Sequence, residues 1–393
     1  MESIKDRVAV VGMGCTHFGE LWDKGPEDML VEAAYEAYED AGIGPDDIQA
    51  AWVGTTGTGL TGQILAYPLK LNYIPITRVE NACATGTDAF RNACYAVAAG
   101  LYDLVLVAGL DKFKDTGFGG LPIQKPFFDP SNVQPEVMFP TQFALLATRY
   151  FYRYGLSYEE GKRTLAQIAV KNHHNGTLSP KAHFRREITL EQAMNAPMIS
   201  WPLGLFDCCG VSDGAAVAII TRADLAKKFR DDYVLVKGLG LICGRREGEV
   251  DTDYDFVHAE ETVIAGKTAY EQAGISNPRE EIDLACVHDC FSITELVIYE
   301  DLGFSPRGKA KEGVDAGTFA LDGELPVNTD GGLKCFGHPV GATGLRMMYE
   351  IYKQLQGKAG PRQVKDAKLG LTHNLGGVPG SFTCGVAILG QRD

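Results

Sequence analysis

The heptapeptide AYEDAGI at residues 37–43 returns as AYEQAGI at 269–275, 232 positions later (269 minus 37). Each copy ends a helix-like stretch in Ala-Gly, the signature of a glycine just past the last helical turn. A strand-like run precedes each helix, RVAVVGMG and YVLVKGLGL. A polar connection follows (GPDDIQ and SNPREEID) and leads into a second apolar run, AAWVGTT and LACVHDC. The parallel continues: CATGTDAFRNACYAVAAG leads into the strand DLVLVAGL, and GATGLRMMYEIYKQLQG leads into KLGLTHNL. One heptapeptide can match by chance, but a matched order of strand, helix, strand, helix and strand cannot. The pattern predicts an α/β chain of two similar halves, residues 1–232 and 233–393. Residues of about 111–200 differ in character, with aromatics, prolines and the run HFRREIT. They read as an insertion of helices and long loops in the first half, where recognition residues concentrate.

Composition sets the outer limits. With 45% hydrophobic and 22% charged residues and a mean hydropathy of -0.08, the chain reads as globular and large enough for a double unit. No apolar run approaches the roughly 18 residues of a membrane span. The opening MESIKDRVAVVGMG runs straight into a strand, without a signal-peptide layout, so a cytoplasmic location is expected. A net charge of -14 argues against general affinity for nucleic acid or anionic membranes. A phosphate-bearing ligand then requires a local basic patch. Ten cysteines occur without a CxxC pair, so neither a zinc ribbon within this chain nor a disulfide framework is expected, and most should be reduced core residues.

Four stretches carry chemistry. In ENACATGTDAF, Cys83 stands at the start of a helix rich in small residues. Unpaired helix N–H groups and the dipole lower the pKa of such a thiol and offer an oxyanion site. The stretch alone leaves a nucleophile and a packed cysteine equally open. In NTDGGLKCFGHPVGATG, His338 precedes a Gly-Ala-Thr-Gly helix start, nearly the place in the second half that Cys83 holds in the first. Two facing halves would bring thiol and imidazole together, an arrangement suited to nucleophilic catalysis. HDCFS puts His288 and Cys290 at the carboxyl end of a strand, where α/β sheets bind ligands. THNLGGVPGSF, containing Asn374 and Gly376, runs a strand into a glycine-rich turn that can present N–H groups to an anion. GMGCTHFGE lacks the third glycine of a dinucleotide site, and DCCGVSDGAA reads as a connecting turn. His173 and His174 read as surface-loop residues rather than metal ligands, and 245–261 as a solvated connection.

Together the four stretches resemble the thiolase family, specifically its sterol-carrier-protein-2-like and archaeal branch, over essentially the whole chain. The resemblance implies the layered αβαβα fold. Cys83-Ala84-Thr85-Gly86 matches the nucleophile loop, His288-Asp289-Cys290-Phe291 the branch's form of the Asn-Glu-Ala-Phe loop, and Gly337-His338-Pro339 the Gly-His-Pro loop. The fourth loop, Cys-x-Gly, departs: Asn374 stands where the second catalytic cysteine is usual, with Gly376 as the matching glycine. The resemblance then points to Cys290 as the acid/base. It implies cleavage of a 3-ketoacyl-CoA through an acyl-Cys83 intermediate, or the reverse Claisen condensation. His338 would activate the thiol, His338 and His288 would hold the thioester oxygen, and the N–H groups of Cys83 and Gly376 the tetrahedral intermediate. Coenzyme A is a substrate, and no metal or redox cofactor is implied.

The branch includes archaeal acetoacetyl-CoA thiolases, steroid side-chain retro-aldolases and the benzoylsuccinyl-CoA thiolase subunit of anaerobic toluene degradation. The aldolase members lose the nucleophilic cysteine, so Cys83 favours acyl transfer. The aromatic stretch FFDPSNVQPEVMFPTQFALLATRYFYRYG suits a bulky or aromatic acyl chain, or simply builds the insertion's core. Several members work with a small zinc-ribbon and OB-fold (DUF35-type) partner, and at least a homodimer is implied. A non-catalytic acyl-CoA-binding scaffold and a 3-ketoacyl-synthase-type condensing enzyme are the competing readings.

Overall fold

The computed structural model describes residues 3–116 and 139–392 of the chain. Among the described residues eleven strands run in chain order: β1 (Val8–Cys15), β2 (Ala50–Gly54), β3 (Ile76–Val79), β4 (Leu104–Asp111), β5 (Met198–Ser200), β6 (Leu203–Gly204), β7 (Gly214–Arg222), β8 (Val234–Cys243), β9 (Leu284–Cys286), β10 (Leu369–Val378) and β11 (Ser381–Gly390). Apart from the β5/β6 hairpin they form one sheet in the order β3-β2-β4-β7-β1-β8-β11-β10-β9. Most are buried on both faces, which explains their unbroken apolar runs.

The internal repeat is visible in the pairing. β2 and β4 are parallel, as are β9 and β10; β4/β7 and β7/β1 are antiparallel, as are β10/β11 and β11/β8. Swapping the halves exchanges β1 with β8 and β2 with β9. Within the large sheet and among the described residues, β3 is the one strand without a regular counterpart, yet its place is kept. Ala51 N donates to Pro75 O, and Ala285 N likewise donates to Pro326 O, with a single parallel bridge from Ala285 to Val327. The halves join where β1 meets β8.

The repeated heptapeptide has a packing cause. Helix Pro26–Ala41 lies on β1 and β7, and helix Glu260–Ala273 on β8 and β11. A Cβ on Gly12 or Gly14 would stand 2.4 and 2.0 Å from the carbonyl oxygens of Ala37 and Ala33. On Gly238 or Gly240 it would stand 2.2 Å from those of Ala269 and Ala265. The Gly-x-Gly pairs are therefore contact points for an outer helix, and Ala37 and Ala269 open the two copies of the repeat. Both helices end as expected on left-handed glycines, Gly42 and Gly274.

Helices Thr85–Ala98 and Thr343–Leu355 form the central layer. The second touches strands of both halves and is buried along nearly its whole length. They meet backbone to backbone: a Cβ on Gly86 would lie 2.7 Å from Gly341 O, and one on Gly344 2.5 Å from Thr87 N. The layers are thus outer helix, first half of the sheet, central helix pair, second half of the sheet and outer helix. Between β4 and β7 lie helices Phe139–Tyr154 and Tyr158–Thr177 and the β5/β6 hairpin. The aromatics of FFDPSNVQPEVM lie outside the described residues. No helix among the described residues is long and apolar enough to cross a membrane.

Two local expectations are corrected. His173 and His174 lie within the helix Tyr158–Thr177, not in a loop, because a Ser157–Glu160 capping box starts that helix upstream of them. His173 is buried, with Nδ1 3.0 Å from Arg186 O and its ring edge-on to Phe206, whereas His174 faces solvent beside Glu187. The 245–261 segment is more than a solvated connection. It forms a helical turn, Glu247–Val250, and its Gly248 and Phe256 pack on Gly380 at the β10–β11 turn.

Candidate active site

Each half delivers one reactive side chain just ahead of its central helix, Cys83 before Thr85–Ala98 and His338 before Thr343–Leu355. In the first half, Val79 ends β3 and a tight turn follows, with Ala84 N donating to Asn81 O and Thr85 N to Ala82 O. Ala82 takes φ 47°, an uncommon conformation for a residue with a Cβ. Side chains hold the bend: Asn81 N donates to Thr85 Oγ1 (2.8 Å) and Asn81 Nδ2 to Asp88 Oδ2 (2.7 Å). Cys83 tops this elbow, one residue ahead of the helix N-cap Ala84. In the second half, Gly337 at φ 122° turns the chain into His338, and the amides of Ala342 and Thr343 close on Pro339 O.

The two loops meet. Cys83 Sγ lies 3.2 Å from His338 Nε2 across 255 residues of sequence. His338 Nδ1 is 2.7 Å from Thr343 Oγ1, and that hydroxyl donates to Pro339 O. Since its proton is committed to the carbonyl, Thr343 Oγ1 accepts from Nδ1–H, which leaves Nε2 as a bare acceptor facing the thiol. Asp111, fully buried at the end of β4, ties the loops together. It accepts from Thr55 Oγ1, Thr56 Oγ1 and Gly57 N in the first half, and from Gly341 N (2.7 Å) in the second.

The expectation of an acidified Cys83 is reversed. Burial pushes the thiol up to about 12, with the charges of Asp111 and Glu80 acting in the same direction. The amides of Cys83 and Gly377 favour the thiolate but do not outweigh desolvation. His338 is pushed down to about 3, by burial first and by the Arg346 charge second. The resting pair is therefore a neutral thiol and a neutral imidazole. His288 is driven well below its usual range by burial and then by His338, and its ring stands edge-on to His338 at 5.2 Å.

A cavity of about 490 Å³ opens over the pair. Its wall includes Cys83, His288, Cys290, His338, Gly377, Leu375 and the aromatics Phe139, Phe143 and Phe291. Cys290 follows β9, its thiol 3.6 Å from Thr294 Oγ1 and raised well above its usual value by burial. Asp289 between them turns away, accepting from Leu333 N (2.6 Å), Lys334 N (3.2 Å) and Asn172 Nδ2 (2.9 Å). It thereby fastens the His288–Cys290 loop to the loop that carries His338.

Two predicted residues sit elsewhere. Asn374 is buried outside the cavity wall, its Oδ1 accepting from Thr87 Oγ1 at 2.7 Å. Gly376 backs the elbow, where a Cβ would stand 2.8 Å from Cys83 N and Asn81 O. The amide that faces the sulfur from β10 belongs to Gly377 instead. The DCCGVSDGAA stretch is not merely a turn, for Cys208, Cys209, Gly210 and Val211 line the cavity. Cys209 N donates to Cys290 O (2.9 Å), beside an antiparallel bridge from Cys208 to Phe291. Two adjacent cysteines before a glycine were the available signal, but their partner strand is about 80 residues away in sequence and only the fold joins them.

Comparison with known proteins matches both halves of the chain to one family. Residues 8–200 match the thiolase N-terminal domain, and 246–391 the thiolase C-terminal domain-like family. The chain is 40% identical over 380 residues to an acetyl-CoA acetyltransferase of Methanothermobacter thermautotrophicus, covering 95% of this chain and 97% of that one. It is 33% identical over 394 residues to sterol carrier protein 2 of Oryctolagus cuniculus, covering 94% and 70% respectively. Among solved structures, an Ltp2-ChsH2(DUF35) aldolase superposes with a TM-score of 0.85 at 25% identity, covering 99% of this chain and 98% of that chain. With its doubled α/β layers and matching family domains in both halves, the chain belongs to the thiolase family of acyltransferases.

Proposed function

We propose that this chain cleaves a 3-ketoacyl-CoA with coenzyme A, or runs the reverse Claisen condensation, through an acyl group carried on Cys83. The observation behind this reading is the 3.2 Å contact between Cys83 Sγ and a His338 nitrogen oriented to accept a proton. With the thiol near 12 and the imidazole near 3, a pre-formed ion pair is unfavourable. Proton transfer to His338 then accompanies attack of the sulfur on the 3-keto carbon. The amides of Cys83 and Gly377 face the reacting atoms, positions from which they stabilise the oxyanion. Breaking the Cα–Cβ bond leaves an acyl-CoA enolate. Cys290, a neutral thiol in the same cavity, protonates its carbon, while His288 and His338 hold the thioester oxygen. Coenzyme A then takes the acyl group from Cys83. Neither a metal nor a redox cofactor has a step in this scheme.

For the acyl group, the cavity wall favours a bulky and aromatic chain, such as the benzoyl group of benzoylsuccinyl-CoA. Phe143 stacks on Phe291 at 4.5 Å and 26°, and Phe139, Ile199, Leu205 and Val211 add apolar surface. The second reading, acetoacetyl-CoA, is favoured by the likeness to archaeal proteins named acetyl-CoA acetyltransferase. A small zinc-ribbon and OB-fold partner is supported by the DUF35 component in the name of the superposed aldolase. A homodimer is supported by β3, an edge strand whose Ile76, Arg78 and Val79 are half-buried, together with the exposed Leu60, Tyr67 and Tyr73.

Intact mass tests the proposal. The chain, with and without a zinc-ribbon partner, is incubated with acetoacetyl-CoA, longer 3-ketoacyl-CoAs and benzoylsuccinyl-CoA. The expected result is a mass gain of one acyl group, absent in Cys83→Ala and removed by coenzyme A. The acyl group that accumulates identifies the substrate class. No adduct from any substrate would make Cys83 a packing residue and leave the scaffold reading.

A further inference from the structure

We propose that Cys83, His338 and His288 also form a binding site for a soft divalent cation of the zinc or cadmium class, which competes with the acyl-CoA for Cys83. The donor atoms of these side chains all lie within 4.8 Å of one another, and the Cys83–His338 edge is already 3.2 Å. A tetrahedral zinc held by one thiolate and two imidazoles requires edges of about 3.3–3.6 Å. Shortening the longest edge by up to about 1.5 Å closes the triangle around an ion.

The surroundings fit the same chemistry. A metal-bound histidine normally gives its second N–H to a fixed acceptor, and Thr343 Oγ1 already takes that of His338. His288 is 1% exposed, and among the described residues its Nδ1 has no hydrogen-bond partner, so the ring brings an unused nitrogen to the cluster. The remaining coordination position opens into the cavity, where water can complete the shell. On binding, the Cys83 S–H bond breaks, its proton passes to solvent and a metal–sulfur bond forms; no electron changes hands. The sulfur's lone pair is then committed to the ion, so the cation holds the chain in a state unable to accept an acyl group.

The test needs no turnover. The purified chain is titrated with cadmium ion alone, following the sulfur-to-cadmium charge-transfer absorption, and bound metal is counted after desalting. The expected result is one cadmium per chain, with the absorption lost in Cys83→Ser and retained in Cys243→Ser, which removes an exposed cysteine. His288→Ala should weaken binding about tenfold or more. Circular dichroism establishes that each variant is folded, and the His288→Ala arm decides the matter if Cys83→Ser is not. Absence of the absorption, its survival in Cys83→Ser, or unchanged affinity in His288→Ala overturns the proposal. Because the readout is coordination rather than acyl transfer, its failure leaves the proposed acyl chemistry standing, and the converse holds.

Discussion

Replacing Arg346 with methionine tests how the second half positions and tunes His338. Arg346 and Asp330 are both fully buried and joined Nη1 to Oδ2 at 2.5 Å. The guanidinium also lies over the Phe336 ring, 5.0 Å from its centroid. Both contacts brace the loop that ends in Gly337-His338. Methionine keeps much of the volume but strands Asp330 without its cation. Breaking a buried pair from one side costs about 3–5 kcal/mol, and Asp330→Asn alone should cost a similar amount. The double variant Arg346→Met/Asp330→Asn leaves no uncompensated charge. Its loss should therefore fall short of the summed single losses by about 2–3 kcal/mol. Urea unfolding followed by far-ultraviolet circular dichroism measures all three, compared at equal m-value.

The same change has an electrostatic sign. Arg346 is the second cause, after burial, holding His338 near 3. Without it the imidazole pKa rises toward the ordinary 6.5. Acylation of Cys83 needs the neutral ring, so its acid limb should move to higher pH. Stability responds in the opposite sense. In the parent chain the unfolded state binds this proton below about 6.5 and the folded state only near 3, so stability is lost as pH falls through that window. The variant shortens the window from its lower end and loses less. Single-variant losses below about 1 kcal/mol, additivity within about 0.5 kcal/mol, or an unmoved acid limb would refute the reasoning.

Other substitutions probe neighbouring parts of the argument. Gly376→Ala places a Cβ against Cys83 N and Asn81 O; it should slow acylation about 100-fold in a chain with an unchanged circular dichroism spectrum. Cys290→Ala should lower turnover by about 10²–10⁴ and abolish solvent deuterium exchange at Cα of a bound acyl-CoA, whereas Cys209→Ala should keep the exchange. If the exchange follows Cys209, the acid/base assignment moves to that thiol. Gly14→Ala and Gly240→Ala, at matching contacts in the two halves, should each destabilise by about 1–3 kcal/mol, read as a shift in the urea midpoint. A cost confined to one half would count against equivalent packing of the repeats.

The sequence by itself determined the doubling of the fold and the pairing of Cys83 with His338. Repeated Gly-x-Gly strands can accept only a helix whose backbone comes close, and Ala37 and Ala269 carry that requirement in readable form. Equivalent positions in two such halves were enough to expect thiol and imidazole to meet, and a strand end to carry Cys290 toward the same cavity. Tertiary structure alone decided what those groups are like. A helix start suggested an acidic thiol, but proton affinity follows the loss of water and the surrounding charges, so burial and Asp111 raise Cys83 instead. The pleat and the end of β10 turned Asn374 toward Thr87 and brought Gly377, not Gly376, to the sulfur. Cys208 and Cys209 entered the wall through one long-range bridge to Phe291. Local sequence fixes which face a residue can show; only the closure of distant chain around it fixes what it meets there.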